Sequence, residues 1–240
     1  MIKDLYAKYV ECGGQISTDS RNIKSNSLFI ALKGPNFNAN LFAAQAINKG
    51  AKYALIDDAK YTIEGKTILV ENCLASLQRL ANYNRNKFSI PIIGITGSNG
   101  KTTSKELIGS VLKSTFNVLV TKGNLNNHIG VPLTLLALNK SHEIAIIEMG
   151  ANHIGEIKDL SNIAEPTHGV ITNIGIAHIE GFGSIEGVIK TKKELYDFIE
   201  EKNGTLFCNY DDPVLIDKLP NKTSTYFYGK NSKYISGKIE

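Results

Sequence analysis

Residues 90–114 constrain this chain more than any other stretch. Ile90-Pro-Ile-Ile-Gly-Ile95 is a nearly continuous apolar run, Thr96-Gly-Ser-Asn-Gly-Lys-Thr102 is a glycine-bearing loop, and helical character follows from Lys101 to about Ser114. A buried strand that enters a glycine turn and leaves as a helix is the opening of a βα unit. Glycines let the backbone wrap an anion, and the amides of the loop and first helical turn then converge on negative charge. Lys101 would place a cation near the β- and γ-phosphates of a nucleotide, and the Thr102 hydroxyl can ligate Mg²⁺. The usual phosphate-loop spacing asks for a glycine at position 95, where Ile95 stands. The reading therefore rests on strand, loop and helix together. It makes Thr96, Gly97, Ser98, Asn99, Gly100, Lys101, Thr102 and Thr103 the expected nucleotide contacts and ATP the expected cofactor.

The same alternation continues downstream. Strands are expected at Asn117–Thr121, Glu143–Glu148, Gly169–Thr172 and Thr205–Asn209, with a helix from Pro132 to Leu138 and a turn at Tyr210–Pro213. Apolar strands separated by helices imply a mostly parallel sheet covered on both faces. Upstream, Ser27–Leu32, Ala51–Ile56 and Thr67–Val70 read as strands. Leu41–Lys49 reads as a helix stopped by Gly50, and Asn72 reads as the cap of a helix from Cys73 to about Tyr83. The polar stretch Asn82–Lys87 separates the two regions. The expected fold class is α/β: a small N-terminal α/β domain over 1–86, then a mostly parallel-sheet P-loop ATP-binding domain over 87–240. Residues 221–240 are polar with scattered strand-like pieces, so the second domain is expected to be incomplete.

Composition narrows the function classes. A net charge of +4 with scattered basic residues lacks the basic stripe of a nucleic-acid binder. The three cysteines, Cys12, Cys73 and Cys208, form no Cys-x-x-Cys pair, which argues against a zinc site or a disulfide framework. The N-terminus lacks the apolar run of a signal peptide, and no stretch approaches the ~20 apolar residues that span a bilayer. A cytoplasmic protein without membrane insertion is expected.

The variant Thr-Gly-x-Asn-Gly-Lys-Thr at 96–102 resembles the Mur ligase family, ATP-dependent enzymes that extend the peptidoglycan precursor peptide, and the resemblance runs from about Ser17 to Pro213. Three further segments resemble the branch that adds D-alanyl-D-alanine to UDP-MurNAc-tripeptide. They are Gly123-Asn-Leu-Asn-Asn-His-Ile-Gly-Val-Pro132, Glu148-Met-Gly-Ala-Asn-His-Ile-Gly-Glu156 and Asn173-Ile-Gly-Ile-Ala-His-Ile-Glu-Gly-Phe-Gly183. The Gly-Ala-Asn-His run is the most branch-specific of these.

The resemblance implies roles residue by residue. Glu148, at a strand end, would join Thr102 in holding Mg²⁺ between the β- and γ-phosphates; a lone strand-end glutamate is more often a solvated terminus, and the neighbouring glycine loop is what favours the metal. His178 would sit on a second Mg²⁺, although histidine is not a usual ligand of so hard an ion. Lys192 aligns with a lysine that becomes carbamylated by CO₂ and so turns into an oxygen ligand. By residue type alone it lies on a solvated helix face, with Lys190 as the alternative register. Asn209 would contact adenine, or simply form a turn with Asp211-Asp-Pro213. Ser20 and Asn36 are implied at the uracil or diphosphate, and Asn124, Asn126, Asn127 and His153 at the muramoyl-peptide side. Family members often carry Asp-Gly-His where this chain has Asn38-Ala39-Asn40, so no role passes to those positions.

The implied reaction needs no protein nucleophile. ATP phosphorylates the terminal carboxylate of the tripeptide, and the amine of D-Ala-D-Ala displaces phosphate from the resulting acyl phosphate. Lys101, Glu148, His178 and Lys192 are then the catalytic set. Family members are roughly twice as long and close the site with a third domain, so this chain alone is expected to be inactive. The alternatives are another ligase of the superfamily, using a different amino acid or folylpolyglutamate, and a non-catalytic nucleotide-binding protein.

Overall fold

The structure, a computed structural model, describes residues 2–175 and 179–232. The chain divides into two compact units, Met1–Lys87 with Leu135–Ala137, and Phe88–Thr134 with Leu138–Glu240.

The first unit is built on a four-stranded parallel sheet in the order β1 (Ile16–Ser17), β2 (Leu28–Ile30), β5 (Tyr53–Ile56), β6 (Thr67–Leu69). Between them lie a short hairpin of β3 (Lys33–Gly34) and β4 (Phe37–Asn38) and the helix α2 (Ala43–Asn48). Every residue of β2 is buried, as its unbroken apolar run suggests. Helix α1 (Ile2–Glu11) packs on α3 (Cys73–Arg85) through Leu5, Tyr9, Leu77 and Leu80, and Tyr6 meets Tyr83 edge-on at 5.0 Å. The expected cap of α3 is present: the Asn72 side chain accepts from the Ala75 amide at 2.8 Å. The helix expected over 41–49 is divided. A 3₁₀ turn at Ala39–Phe42 precedes α2, because the Asn38 side chain accepts from the Asn40 amide and starts the turn early.

Asn40 is fully buried and holds this corner together. Its Nδ2 donates to Asn38 Oδ1 and Asp57 Oδ1, both at 2.8 Å, and its Oδ1 accepts from the Asp57 amide at 3.0 Å. Asp57 also pairs with Lys33 at 2.8 Å and accepts from the Cys73 amide. Burial alone would raise the Asp57 pKa, but Lys33, Cys73 and Asn40 outweigh it and hold the carboxyl below its usual range. Asn40→Ala leaves the Asp57 amide without its acceptor and takes one of the two donors from Asp57 Oδ1, at about 1–3 kcal/mol. We expect the melting temperature of the first unit to fall by on the order of 10 °C. Asn36→Ala, at the exposed hairpin tip, should leave it nearly unchanged; calorimetry of the two variants checks this.

The second unit carries a six-stranded, wholly parallel sheet. It contains β7 (Ile92–Thr96), β8 (Val118–Val120), β9 (Ile144–Glu148), β10 (His168–Ile171), β11 (Thr205–Asn209) and β12 (Ser224–Tyr228), ordered β12-β11-β10-β7-β9-β8. The connecting helices are α4 (Lys101–Leu112), α5 (Gly130–Leu136), α6 (Glu156–Ala164), α7 (Ile179–Phe182), α8 (Ile185–Glu201) and α9 (Pro213–Asp217). Ile95, Val118, Ile146 and Val170, one from each of four adjacent strands, form a core cluster with Ile108 and Leu112 of α4 packed against it. Helix α5 begins two residues before the expected Pro132. Asn127 Oδ1 accepts from the Ile129 and Gly130 amides and turns the chain there, and proline then falls in the first turn, where its missing N–H costs nothing. The strand-like piece near 225–228 becomes the edge strand β12. The three cysteines are buried free thiols. No helix among the described residues is long and apolar enough to cross a membrane.

Candidate functional site

The order of the sheet determines what meets at its carboxyl edge. Strand β7 lies between β9 and β10, so its outgoing loop is flanked by the ends of both. In open parallel sheets such an edge is where ligands bind. The glycine loop leaves β7, Glu148 ends β9, Thr172–Gly175 follows β10, and Asn209 ends β11.

The glycine loop is held open from one side. Gly97 has φ +146°, and a Cβ there would run into the Thr172 hydroxyl. The Ser98 amide donates to the Asn173 carbonyl at 3.0 Å, and the Ser98 hydroxyl and Gly175 exchange bonds of 2.9 and 3.0 Å. Asn173 grips Asn99 from both directions, accepting from its amide and donating to its carbonyl. Gly100, at φ +76°, takes the left-handed turn that starts α4, and no side chain caps that helix. The first-turn amides therefore have no side-chain acceptor and present the positive end of a twelve-residue helix. Thr103 lies exposed in this turn.

Lys101 folds back over the loop, its Nζ donating to the Gly97 carbonyl at 2.7 Å and the Ser98 carbonyl at 3.2 Å. Burial pushes its pKa below the ordinary lysine range, against the opposing pull of the Glu148 charge. The Thr102 hydroxyl lies 3.2 and 3.1 Å from the two oxygens of Glu148. Thr102 and Glu148 are thus adjacent, although 46 residues separate them.

Glu148 is 1% exposed. Its Oε1 accepts from Asn126 Nδ2 at 2.8 Å, and its Oε2 lies 3.3 Å from the Nζ of Lys105, itself 0% exposed. Sequence reasoning missed Lys105. The available signal was its place one helical turn after Lys101, on the side of α4 that faces the sheet.

Lys192 is buried, with Nζ 5.4 Å from the centroid of the Phe182 ring, while Lys190 is exposed. Burial, reinforced by the charge of Lys101, pushes the Lys192 ammonium down to about 8. The solvated face read from residue type alone is therefore wrong for Lys192. Val188, Thr191, Lys192, Leu195 and Tyr196 share the inner stripe of α8. Two residues on, Glu194 accepts from the Gly155 and Lys158 amides and so ties α8 to the start of α6.

The remaining expected residues scatter more. Asn209 is half-buried at the end of β11, its Oδ1 accepting from the Asp211 amide, so it forms a turn at the same sheet edge. Asn124 and Asn127 are exposed, and the Asn127 side chain is occupied in starting α5. Asn126 turns toward Glu148. His153 is exposed beside Glu156 at 3.2 Å. Ser20 and Asn36 follow the carboxyl ends of the adjacent strands β1 and β2 in the first unit. His178 lies outside the described residues.

The donor set suits a hard cation held with a nucleotide. Among the described residues no group of three or more His, Cys, Asp or Glu side chains could hold a metal ion. One carboxylate and one hydroxyl beside a glycine loop and an uncapped helix N-terminus are a donor set that would suit Mg²⁺, which takes few protein ligands and completes its shell with phosphate and water.

Residues 95–240 match the Mur ligase middle domain. The UDP-N-acetylmuramoyl-tripeptide–D-alanyl-D-alanine ligase of Haemophilus influenzae is 40% identical over 224 residues, covering 90% of this chain and 49% of that protein. Crystal structure I of MurF from Acinetobacter baumannii superposes with a TM-score of 0.82 at 36% identity, over 90% of this chain and 48% of that one. MurF ligase from Thermotoga maritima, solved in complex with ADP, gives a TM-score of 0.82 at 34% identity, over 91% and 51%. The chain spans about half the length of the relatives it matches.

Proposed function

The chain belongs to the Mur ligase family, and from that premise we propose that it supplies the ATP site and precursor-binding unit of a D-alanyl-D-alanine-adding ligase of peptidoglycan synthesis. The observation that carries this is the meeting of Thr102 and Glu148, at 3.1–3.2 Å, beside an uncapped helix and its glycine loop. The 40% identity to a ligase named for UDP-MurNAc-tripeptide and D-Ala-D-Ala supports the substrate assignment.

In this reading residues 1–86 hold the UDP end of the precursor, with Ser20 in the segment after β1 and Asn36 at the tip of the β3–β4 hairpin, and residues 87–240 hold ATP. The loop amides from Gly97 to Thr103 bind the phosphates, and Asn209 faces the adenine. Lys101 releases the Gly97 and Ser98 carbonyls and turns to the β/γ-phosphates. Asn124, Asn126, Asn127 and His153 are assigned to the muramoyl-peptide side. Of these, Asn126 links that loop to Glu148. The terminal carboxylate of the tripeptide takes the γ-phosphoryl group, and the D-Ala-D-Ala amine then displaces phosphate from the acyl phosphate. The protein's contribution is alignment and charge neutralisation, with no side chain forming a covalent bond.

Thr102 and Glu148 would hold one Mg²⁺; His178 and a carbamylated Lys192 are proposed for a second. When bound, these ions neutralise phosphoryl oxygens during transfer. An ammonium cannot ligate a cation, so the second assignment requires modification of Lys192. Its environment favours that: burial and the Lys101 charge push its pKa down to about 8, so far more of the Nζ is neutral near pH 7.5 than in an ordinary lysine. Carbamate formation joins that neutral nitrogen to CO₂ and releases a proton. We expect ¹³C-bicarbonate to give a carbamate resonance that grows between pH 7 and 8.5, survives Lys190→Arg and is lost in Lys192→Arg. A signal unchanged in Lys192→Arg removes this residue from the metal site.

The proposal as a whole is tested by titrating the chain with ADP and with UDP-MurNAc-tripeptide. Binding of both, with ADP weakened at least tenfold when Mg²⁺ is removed, is the expected result. Metal-independent ADP binding, or preference for an unrelated UDP-sugar, rejects it.

A further inference from the structure

We propose that Lys105 is a positioning residue, the resident counter-ion of Glu148, and that it makes the site accept a divalent cation only together with nucleotide phosphates. This rests on the reading that Glu148 and Thr102 receive the metal.

The geometry is that of a carboxylate already satisfied. Lys105 and Glu148 are 0% and 1% exposed, their charged atoms 3.3 Å apart. A carboxylate buried to this degree without a cation would carry a large desolvation penalty. Lys105 Nζ also donates to the Gly123 carbonyl at 2.9 Å and lies 3.2 Å from Glu106, whose carboxylate is 60% exposed and therefore well screened. Helix α4, the end of β9 and the loop after β8 are thus joined at one ammonium. Both Glu148 oxygens carry further donors, Thr102 Oγ1 on each and Asn126 Nδ2 on Oε1.

A divalent cation arriving alone would have to displace these donors beside a fixed positive charge. It would find only one buried carboxylate and the Thr102 hydroxyl in return, since no cluster of three His, Cys, Asp or Glu side chains that could hold a metal exists among the described residues. Lys101, held on the Gly97 and Ser98 carbonyls, is near enough to feel the Glu148 charge and adds a second positive charge to the neighbourhood. Nucleotide phosphates reverse the balance by bringing oxygen ligands and negative charge together. Lys105 cannot swing away to make room, because it is enclosed and anchored to Gly123. It therefore orients Glu148 and keeps metal affinity low until the phosphates are present.

The test measures metal binding without turnover. Mn²⁺ is titrated into the chain alone and with ADP, read by electron paramagnetic resonance and by thermal shift. The wild-type chain should show no Glu148-dependent Mn²⁺ binding and no thermal shift without ADP, and stoichiometric binding with it. Lys105→Met should melt lower and bind Mn²⁺ alone at least tenfold more tightly, with a melting point that rises on adding the metal. A purely structural lysine would lower the melting point without creating that metal response. Lys105→Met with unaltered Mn²⁺ affinity overturns the inference. Should that variant not fold, the wild-type titration still decides: tight Mn²⁺ binding without nucleotide, abolished by Glu148→Gln, overturns it equally. Metal-independent ADP binding by both wild type and Glu148→Gln would instead reject the metal reading of the site itself.

Discussion

Replacing Lys101 with alanine should weaken Mg·ADP binding by about 10- to 100-fold. The magnitude follows from the loss of a charge-assisted hydrogen bond to phosphate, about 1.5–3 kcal/mol, at about 1.4 kcal/mol per tenfold in affinity. The fold should barely respond, because the Lys101 ammonium is spent on two loop carbonyls, Gly97 and Ser98. A melting point near wild type combined with lost binding is the expected signature. Lys101→Arg should not restore it, since the planar guanidinium is bulkier and presents its donors in a fork. Calorimetric titration of the three proteins with ADP and Mg²⁺ separates these outcomes.

Glu148→Ala should have the opposite profile, with a heavy structural cost added to the functional one. Removing the carboxylate leaves the fully buried Lys105 ammonium with only the Gly123 carbonyl and the exposed Glu106. Breaking one side of a buried pair costs about 3–5 kcal/mol. For a unit of this size that lowers the melting temperature by on the order of 10 °C. The pair as a whole is a different matter. Burying two charges is itself expensive, so replacing both with apolar groups of similar volume is often close to neutral. The double variant Glu148→Leu with Lys105→Met should therefore recover most of the stability lost by either single change, yet bind ADP without regard to Mg²⁺. A double-mutant cycle measures this: a large favourable coupling supports the pairing, and strictly additive losses contradict it.

The parts of this molecule that were legible in the sequence are those set by local pattern. The run Ile90–Ile95 and the glycine loop declared a strand and a turn by composition, and Glu148 stood at the end of an unmistakable apolar strand. Helix α1 was not read, because Leu5 and Tyr9 give too sparse a stripe until α3 is placed opposite them. The clamp of the glycine loop by Thr172–Gly175 was hidden for a deeper reason. It depends on β10 lying next to β7, and strand order is not written in the spacing of either strand.

Lys105 illustrates the same limit within the site. A lysine in a lysine-containing helix reads as solvated, and only the contact with Glu148, 43 residues away in sequence, makes it a buried ion. The choice between Lys190 and Lys192 was more accessible. Val188, Lys192 and Tyr196 recur at helical spacing on the buried face of α8, whereas Lys190 points outward. Asn38-Ala39-Asn40, departing from the family's usual residues, carried no expectation. It proved to be a structural corner through the bonds of Asn40 to Asp57.

The central claim is that a nucleotide sits at the carboxyl edge of the six-stranded sheet, on the loop that follows β7. Amide hydrogen exchange of the chain with and without Mg·ADP tests that most directly. Protection should concentrate at residues 96–103, at the end of β9 around Glu148, and at Asn209–Asp212, and should vanish in Lys101→Ala. Protection confined to other segments, or a loop that exchanges identically in the presence of saturating nucleotide, would contradict it.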